Sequence, residues 1–270
     1  MHLFILIILI VTALLCLTLL ILAVIEPRKL VVTHEKIGNS ETRSARILFF
    51  SDLHAEFCFI PAQTVIGLIE KEKPDAVIFG GDIINDPLKW EAGQRYLLKI
   101  RDICAKENIP FAGVTGNHDV EISPSDISAC GFINLWKQPV ILQSSNGRTV
   151  GINGITDSGR KSRVWYDPKN IDDADITVTV AHNPDAVLHL DPSVKTDLIL
   201  SGHIHKGQIR TPMRIEFTIL RADALPQEGI ISGLHTINGR TVFISSGIGC
   251  VKLPLRLGAP PEVNIIDLYL

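Results

Sequence analysis

The sequence predicts an α/β fold on two observations. Short β-rich apolar runs alternate with helix-period patterns along most of the chain, and an Asp, Asn or His follows directly on five of those runs. "RILFF" reads as a buried strand, "PAQTVIGLIEKEK" as a helix with Pro61 near its start, and "DAVIFG" as the next strand. "KWEAGQRYLLKIRDICAKEN" has the spacing of an amphipathic helix, "PFAGV" is a strand, and "SPSDISACG" is a short helix closed by Gly131. "RTVGING" and "DITVTV" are strands, "NPDAVLHL" is a helix, "TDLIL" is a strand, and "TVFISSG" and "EVNIIDLYL" are closing strands. No internal repeat or low-complexity tract interrupts this order.

The amino-terminal end is different. Leu3 to Ile25 contain no charged residue, and only Thr12, Cys16 and Thr18 are mildly polar. As a helix this stretch is roughly 34 Å long, enough for a hydrocarbon core of about 30 Å. A cleaved signal peptide is the alternative, but the apolar run is long for one, no Lys or Arg precedes it and no A-x-A site follows. Residues 1–27 are therefore expected to be a membrane anchor, 28–45 a juxtamembrane segment with the first strand, and 46–270 the main domain. Arg28, Lys29 and Lys36 follow the span, so the positive-inside rule predicts a single-pass protein of the inner, cytoplasmic membrane with its main domain in the cytoplasm.

With 270 residues the chain is long enough for one domain with a large core. The formal net charge of −3 belongs wholly to the part outside the apolar stretch, and nothing in it marks a nucleic-acid binder. Five cysteines, odd in number and without C-x-x-C spacing, exclude a disulfide frame and a thiolate metal site.

The residues just past the strands carry the chemistry. "SDLH" brings Asp52 and His54, "GD" brings Asp82, "TGNHD" brings Asn117, His118 and Asp119, "AHNP" brings His182, and "SGHIH" brings His203 and His205. Open α/β sheets place their sites beyond the C-terminal ends of strands. Five of the nine histidines occupy such positions, the others being His2, His34, His189 and His235. Taken singly, Asp52 and Asp82 read equally as turn or cap residues, Asn117 as a left-handed turn and His182 as a helix cap. Taken together, Asp52, His54, Asp82, Asn117, His182, His203 and His205 form a mixed carboxylate, imidazole and amide donor set that suits Mn, Fe or Zn. Seven donors are too many for one tetrahedral ion and suit two ions that share a carboxylate and clamp an in-line phosphoryl displacement.

In that order, D-L-H, G-D, G-N-H-D, H and G-H-x-H, the chain resembles the calcineurin-like metallophosphoesterases from Ser51 to His205. The tail "VFISSGIGCVKLPLRLGAPPEV" is similar to the end of a membrane-associated bacterial branch of that family. The resemblance implies a four-layer α-β-β-α sandwich holding two divalent metal ions, with Mn expected and Fe or Zn as alternatives. By it Asp52, His54 and His205 hold one ion, Asn117, His182 and His203 the other, and Asp82 bridges them. It also implies that His118 contacts phosphate and helps the leaving oxygen depart, with Asp119 orienting it.

The implied activity is hydrolysis of a phosphodiester or diphosphate bond at the membrane lipid bilayer. One activity among similar proteins is cleavage of the lipid substrate UDP-2,3-diacylglucosamine in lipid A synthesis. General phosphodiesterase or phosphatase action on soluble substrates is the alternative, and a non-catalytic scaffold is a second. Two features depart from the branch: Lys206 stands where glycine follows the last histidine, and "AEFCFI" after His54 is not a small-residue turn. Lys206, Arg160, Phe57 and Trp165 are the expected substrate contacts, while Phe59, Trp90, Lys161 and Arg163 fall near the same loops.

Overall fold

The computed structural model describes residues 1–144, 146–155, 167–218 and 222–270. Two mixed six-stranded sheets form the body of the molecule. The strands are β1 (Val31–Gly38), β2 (Ala45–Phe50), β3 (Ala76–Phe79), β4 (Phe111–Gly113), β5 (Ile133–Asn134), β6 (Val140–Gln143), β7 (Thr149–Ile155), β8 (Ile176–Ala181), β9 (Leu198–Ser201), β10 (Gly233–Ile237), β11 (Arg240–Ile244) and β12 (Glu262–Tyr269). The helices are α1 (His2–Ile25), α2 (Ala62–Glu72), α3 (Trp90–Lys106), α4 (Pro124–Ala129), α5 (Ile215–Thr218) and α6 (Ala224–Glu228). One sheet runs β1-β12-β2-β3-β4-β5 and the other β10-β11-β9-β8-β7-β6.

The strand sequences explain why the sheets are covered on both faces. In β2, Ile47 and Phe49 pack toward the second sheet with Ile78, Val178, Leu200 and Phe243, while Leu48 and Phe50 point the other way onto Val65, Ile69, Leu97 and Ile100 of α2 and α3. Successive side chains of a strand face opposite sides, so a continuous apolar run requires an apolar partner on each. On the far side of the second sheet, Ile199, Val242 and Ile244 pack with Val187, Phe217 and Leu225. Each such fully buried side chain contributes about 1.5–3 kcal/mol.

Two details differ from the sequence expectation. Within residues 183–190 the expected helix is a 3₁₀ turn, Pro184–Leu188, capped by the Asn183 side chain, the tighter form that short connectors commonly take. β10 joins β11 as a hairpin over Asn238 and Gly239, a turn signal the apolar pattern alone passes over. Within residues 28–45, where a first strand was expected, β1 forms an edge strand that pairs in parallel with β12 from Val31 to Gly38.

α1 is long and apolar enough to cross a membrane by length and composition, properties that a signal sequence shares. Its last turn is docked on the body. The Arg256 backbone N–H donates to Ala23 O at 3.0 Å, the Glu26 carboxylate accepts from Gly258 and Ala259 N–H at 3.0 and 2.6 Å, and the Arg28 guanidinium lies 3.9 Å over the Phe59 ring. Ala23 is the one buried residue of the helix.

Candidate metal centre

The C-terminal ends of β2, β3, β8 and β9 converge on one spot, and the backbone turns sharply there. Asp52, His54, Asp82, His203, His205 and Lys206 all have φ between +39 and +68°. Left-handed backbone costs a non-glycine residue roughly 1–2 kcal/mol, so six together mark a place where side-chain direction outweighs local preference. The turns aim two groups of donors at each other: Asp52, His54 and His205, and Asp82, His182 and His203. Within each group the donor atoms lie within 4.8 Å of one another.

Asp82 links the groups. Its Oδ2 is 3.5 Å from His54 Nε2 and 3.2 Å from His182 Nε2, while Oδ1 accepts the His118 backbone N–H at 2.9 Å. Asp52 Oδ1 is 3.4 Å from His205 Nε2, and the carboxylate accepts the His203 N–H and the Ser51 hydroxyl.

The histidine tautomers show what the donors await. His54 Nδ1 faces Ile84 O at 3.2 Å and His182 Nδ1 faces Gly80 O at 2.8 Å. A carbonyl oxygen only accepts, so each Nδ1 carries the proton, and in its neutral form each ring turns an Nε2 lone pair toward the Asp82 carboxylate. Burial pushes the His54 pKa down, which keeps that ring neutral. Lone pairs facing a carboxylate at these distances repel one another until a cation lies among them. His203 Nδ1 and His182 Nε2, 3.2 Å apart, make the same demand, because His203 turns its other nitrogen to the Asp223 carboxylate, and Asn117 Oδ1 is buried without a hydrogen-bond partner. The donor set therefore fits two divalent cations.

Supporting groups reach in from segments that motif spacing does not single out. His203 presents Nδ1 to the centre, 3.2 Å from His182 Nε2, while its Nε2 lies 3.4 Å from Asp223 Oδ1. Asp223 is buried and also accepts from the Asn183 amide at 3.2 Å. Fully buried Arg256 stands 3.3 Å from His205 Nδ1 and donates to Gly249 O, Ser246 and Ala259 O, which satisfies its buried charge. No regular spacing ties Asp223 or Arg256 to the motifs. The available signals were the position of Asp223 in residues 213–229, between the last expected ligand and the closing strands, and that of Arg256 in the tail "VFISSGIGCVKLPLRLGAPPEV".

The other expected site residues fall as follows. His118 stands beside His54, ring centroids 5.0 Å apart and nearly perpendicular. Asp119 accepts backbone N–H groups from Asp82, Ile83 and Gly116 at 2.8–2.9 Å, bracing the turn that carries Asp82. Burial and the Asp82 charge push its carboxyl up to about 7 against those three bonds. Lys206 pairs with Glu262 at 3.4 Å, and Phe57 is half-buried in the turn Ala55–Phe57. Glu56 braces the adjacent loop through the Asn85 and Asp86 N–H groups, and Trp90 packs on the core beside α3. Arg160, Lys161, Arg163 and Trp165 lie outside the described residues.

Comparison with known proteins agrees with this geometry. The sequence profile of the calcineurin-like phosphoesterases matches residues 45–207. The uncharacterized Bacillus subtilis protein YpbG is 30% identical over 227 residues, covering 82% of this chain and 80% of that one. The uncharacterized metallophosphoesterase YkuE of the same organism is 28% identical, covering 90% and 87%. Escherichia coli phosphodiesterase YaeI is 27% identical, covering 83% and 82%. Among solved structures, TT1561 of Thermus thermophilus aligns over 76% of this chain and 90% of its own at 12% identity and a TM-score of 0.44. On the profile match and the YpbG identity the chain belongs to the calcineurin-like phosphoesterase family, metal-dependent hydrolases of phosphoric esters.

Proposed function

We propose that the protein is a membrane-anchored phosphohydrolase with two metal ions that cleaves a phosphodiester or diphosphate bond of a lipid-linked substrate. The observation that carries the two-ion reading is Asp82 Oδ2, within 3.5 Å of a histidine from each donor group. In this reading Asp52, His54 and His205 hold one ion, Asn117, His182 and His203 the other, and Asp82 is shared. When bound, the two cations activate a water and neutralise charge on the phosphoryl oxygens.

The chain's own residues do the rest. His118, beside His54, contacts the phosphate and supports the departing oxygen. Asp119 holds the Asp82 turn against the 116–118 loop, and Asp223 and Arg256 steady the rings of His203 and His205. Mn is the ion of choice for this donor set, with Fe or Zn as alternatives.

The docked base of α1 supports the membrane reading, and the name of the Escherichia coli relative supports diester chemistry. α1 then anchors residues 1–27 with the domain in the cytoplasm. A scaffold with a decayed site is disfavoured because every donor named from the sequence is present.

The test is hydrolysis by the full chain in detergent with added Mn, comparing UDP-2,3-diacylglucosamine with a water-soluble aryl phosphodiester, for the parent and for Asp82→Asn. Preference for the lipid substrate supports the reading, and preference for the soluble ester assigns a general phosphodiesterase. Asp82→Asn should lose more than the roughly 10- to 100-fold typical of removing a group that only supports a ligand. Full activity in that variant would exclude the shared-carboxylate mechanism.

A further inference from the structure

Beyond the amino-terminal Met1 and α1, the four most exposed large apolar side chains among the described residues are Leu88 at 90%, Met213 at 85%, Leu253 at 54% and Val120 at 52%. All four are on loops that leave the metal centre. Val120 follows Asp119, Leu88 lies in the 3₁₀ turn Pro87–Lys89 after the Asp82 loop, Met213 lies in the turn Pro212–Arg214 after His205, and Leu253 belongs to the loop that carries Arg256.

Three of these loops are tied into one surface. Asn85 Nδ2 donates to Cys250 O at 3.1 Å, Gln208 Nε2 donates to Val251 O and Leu253 O at 3.0 and 3.1 Å, and the Arg210 N–H donates to Leu257 O at 2.9 Å. The same 250–259 loop receives the end of α1 through Ala23 and Glu26.

Singly scattered exposed apolar side chains are ordinary, but Leu88, Met213 and Leu253 sit on loops that hydrogen bonds tie together, and exposed apolar groups gathered in one surface mark an interaction site. Met213, Arg214 and Lys252 also have φ near +60°, so the tips are held in a conformation their residue types disfavour. Exposed Lys89, Arg210, Arg214 and Lys252 alternate with the apolar tips, a pattern that suits a sheet of anionic headgroups.

We propose that Leu88, Met213 and Leu253 form an apolar rim that beds into the lipid surface around the metal centre, with the four cations on headgroup phosphates. The mouth of the site then opens onto the bilayer, and a phosphoester reaches it from the plane of the membrane. This rests on the reading of α1 as an anchor, and its occupant is an anionic bilayer surface continuous with that helix.

The experiment uses the full chain reconstituted in vesicles containing phosphatidylglycerol. Leu88→Cys, Met213→Cys and Leu253→Cys are labelled with a membrane-impermeant maleimide beside Leu234→Cys, a control on β10 that is 45% exposed. Labelling of the parent's own cysteines is subtracted. The rim positions should react about tenfold or more slowly than the control despite equal or greater exposure, the protection expected when a large apolar side chain leaves water. Equal or faster labelling overturns the rim. Flotation with vesicles after an alkaline wash tests the anchor separately. A chain that floats yet labels fast loses only the rim, and one that fails to float loses both readings.

Discussion

Replacing Gly81 by alanine should damage both the fold and the metal centre, and the structure states by how much. Gly81 has φ of +96°, where an L side chain is strained by roughly 1–2 kcal/mol. A Cβ there would stand 2.7 Å from Gly116 N and 2.9 Å from both Thr115 C and His182 Nδ1. Two of those neighbours are backbone and the third is a ring held to Gly80 O at 2.8 Å, so overpacking adds about 1–3 kcal/mol. The sum, about 2–5 kcal/mol, is a large share of the 5–15 kcal/mol typical of a domain, and it lowers Tm by about 4–20 °C.

Gly239→Ala separates strain from crowding, because Gly239 has φ of +77° with nothing within 4 Å of the added atom. It should lose only the strain and keep its metal. Thermal melts of the detergent-solubilised chain, with metal content by elemental analysis, read both quantities. If Gly81→Ala melts no lower than Gly239→Ala and holds its ions as the parent does, the account of the β3 turn is wrong.

Two further outcomes follow from neighbouring geometry. Asp223→Asn keeps the size of the side chain but removes the charge facing His203 Nε2, so titration calorimetry should show one ion bound about 10- to 100-fold more weakly and the other unchanged. Equal weakening of both ions, or of neither, would remove Asp223 from the centre. Away from the site, Asp267 accepts from Arg46 Nε and Nη2 at 2.7 and 2.8 Å across β2 and β12. Burial raises the Asp267 pKa, but the bonds and charge of Arg46 and Arg43 outweigh it and hold the carboxyl below its ordinary range. A depressed folded pKa gives stability that is present above the unfolded value of about 3.9 and is lost as pH falls through the folded one. The stability gap between the parent and Arg46→Met, about 1 kcal/mol near neutrality for a partly exposed pair, should close as the pH falls below about 4 in denaturant titrations. A gap unchanged at low pH would contradict the pairing.

The local information in the sequence was strong where one residue type has one physical use. Runs such as "RILFF" and "TDLIL" can only be strands buried on both faces, and Asp82 or His205 placed just past them lies at a sheet end whatever the wider topology. The apolar stretch before Glu26 declared its length and its lack of charge, and the seven candidate donors could be named without coordinates. What chain order could not express is contact between residues far apart in sequence. Asp223 meets His203 because two segments fold against β8 and β9, and Arg256 reaches His205 because the 250–259 loop returns beside Ala23. Neither has a spacing that repeats or a neighbour that predicts it. The same holds for Asp119, where burial and three backbone N–H groups decide what its carboxylate holds. Periodicity and motif order determined the class of fold and the candidate donors, and only the packing of distant loops decided which groups aim them.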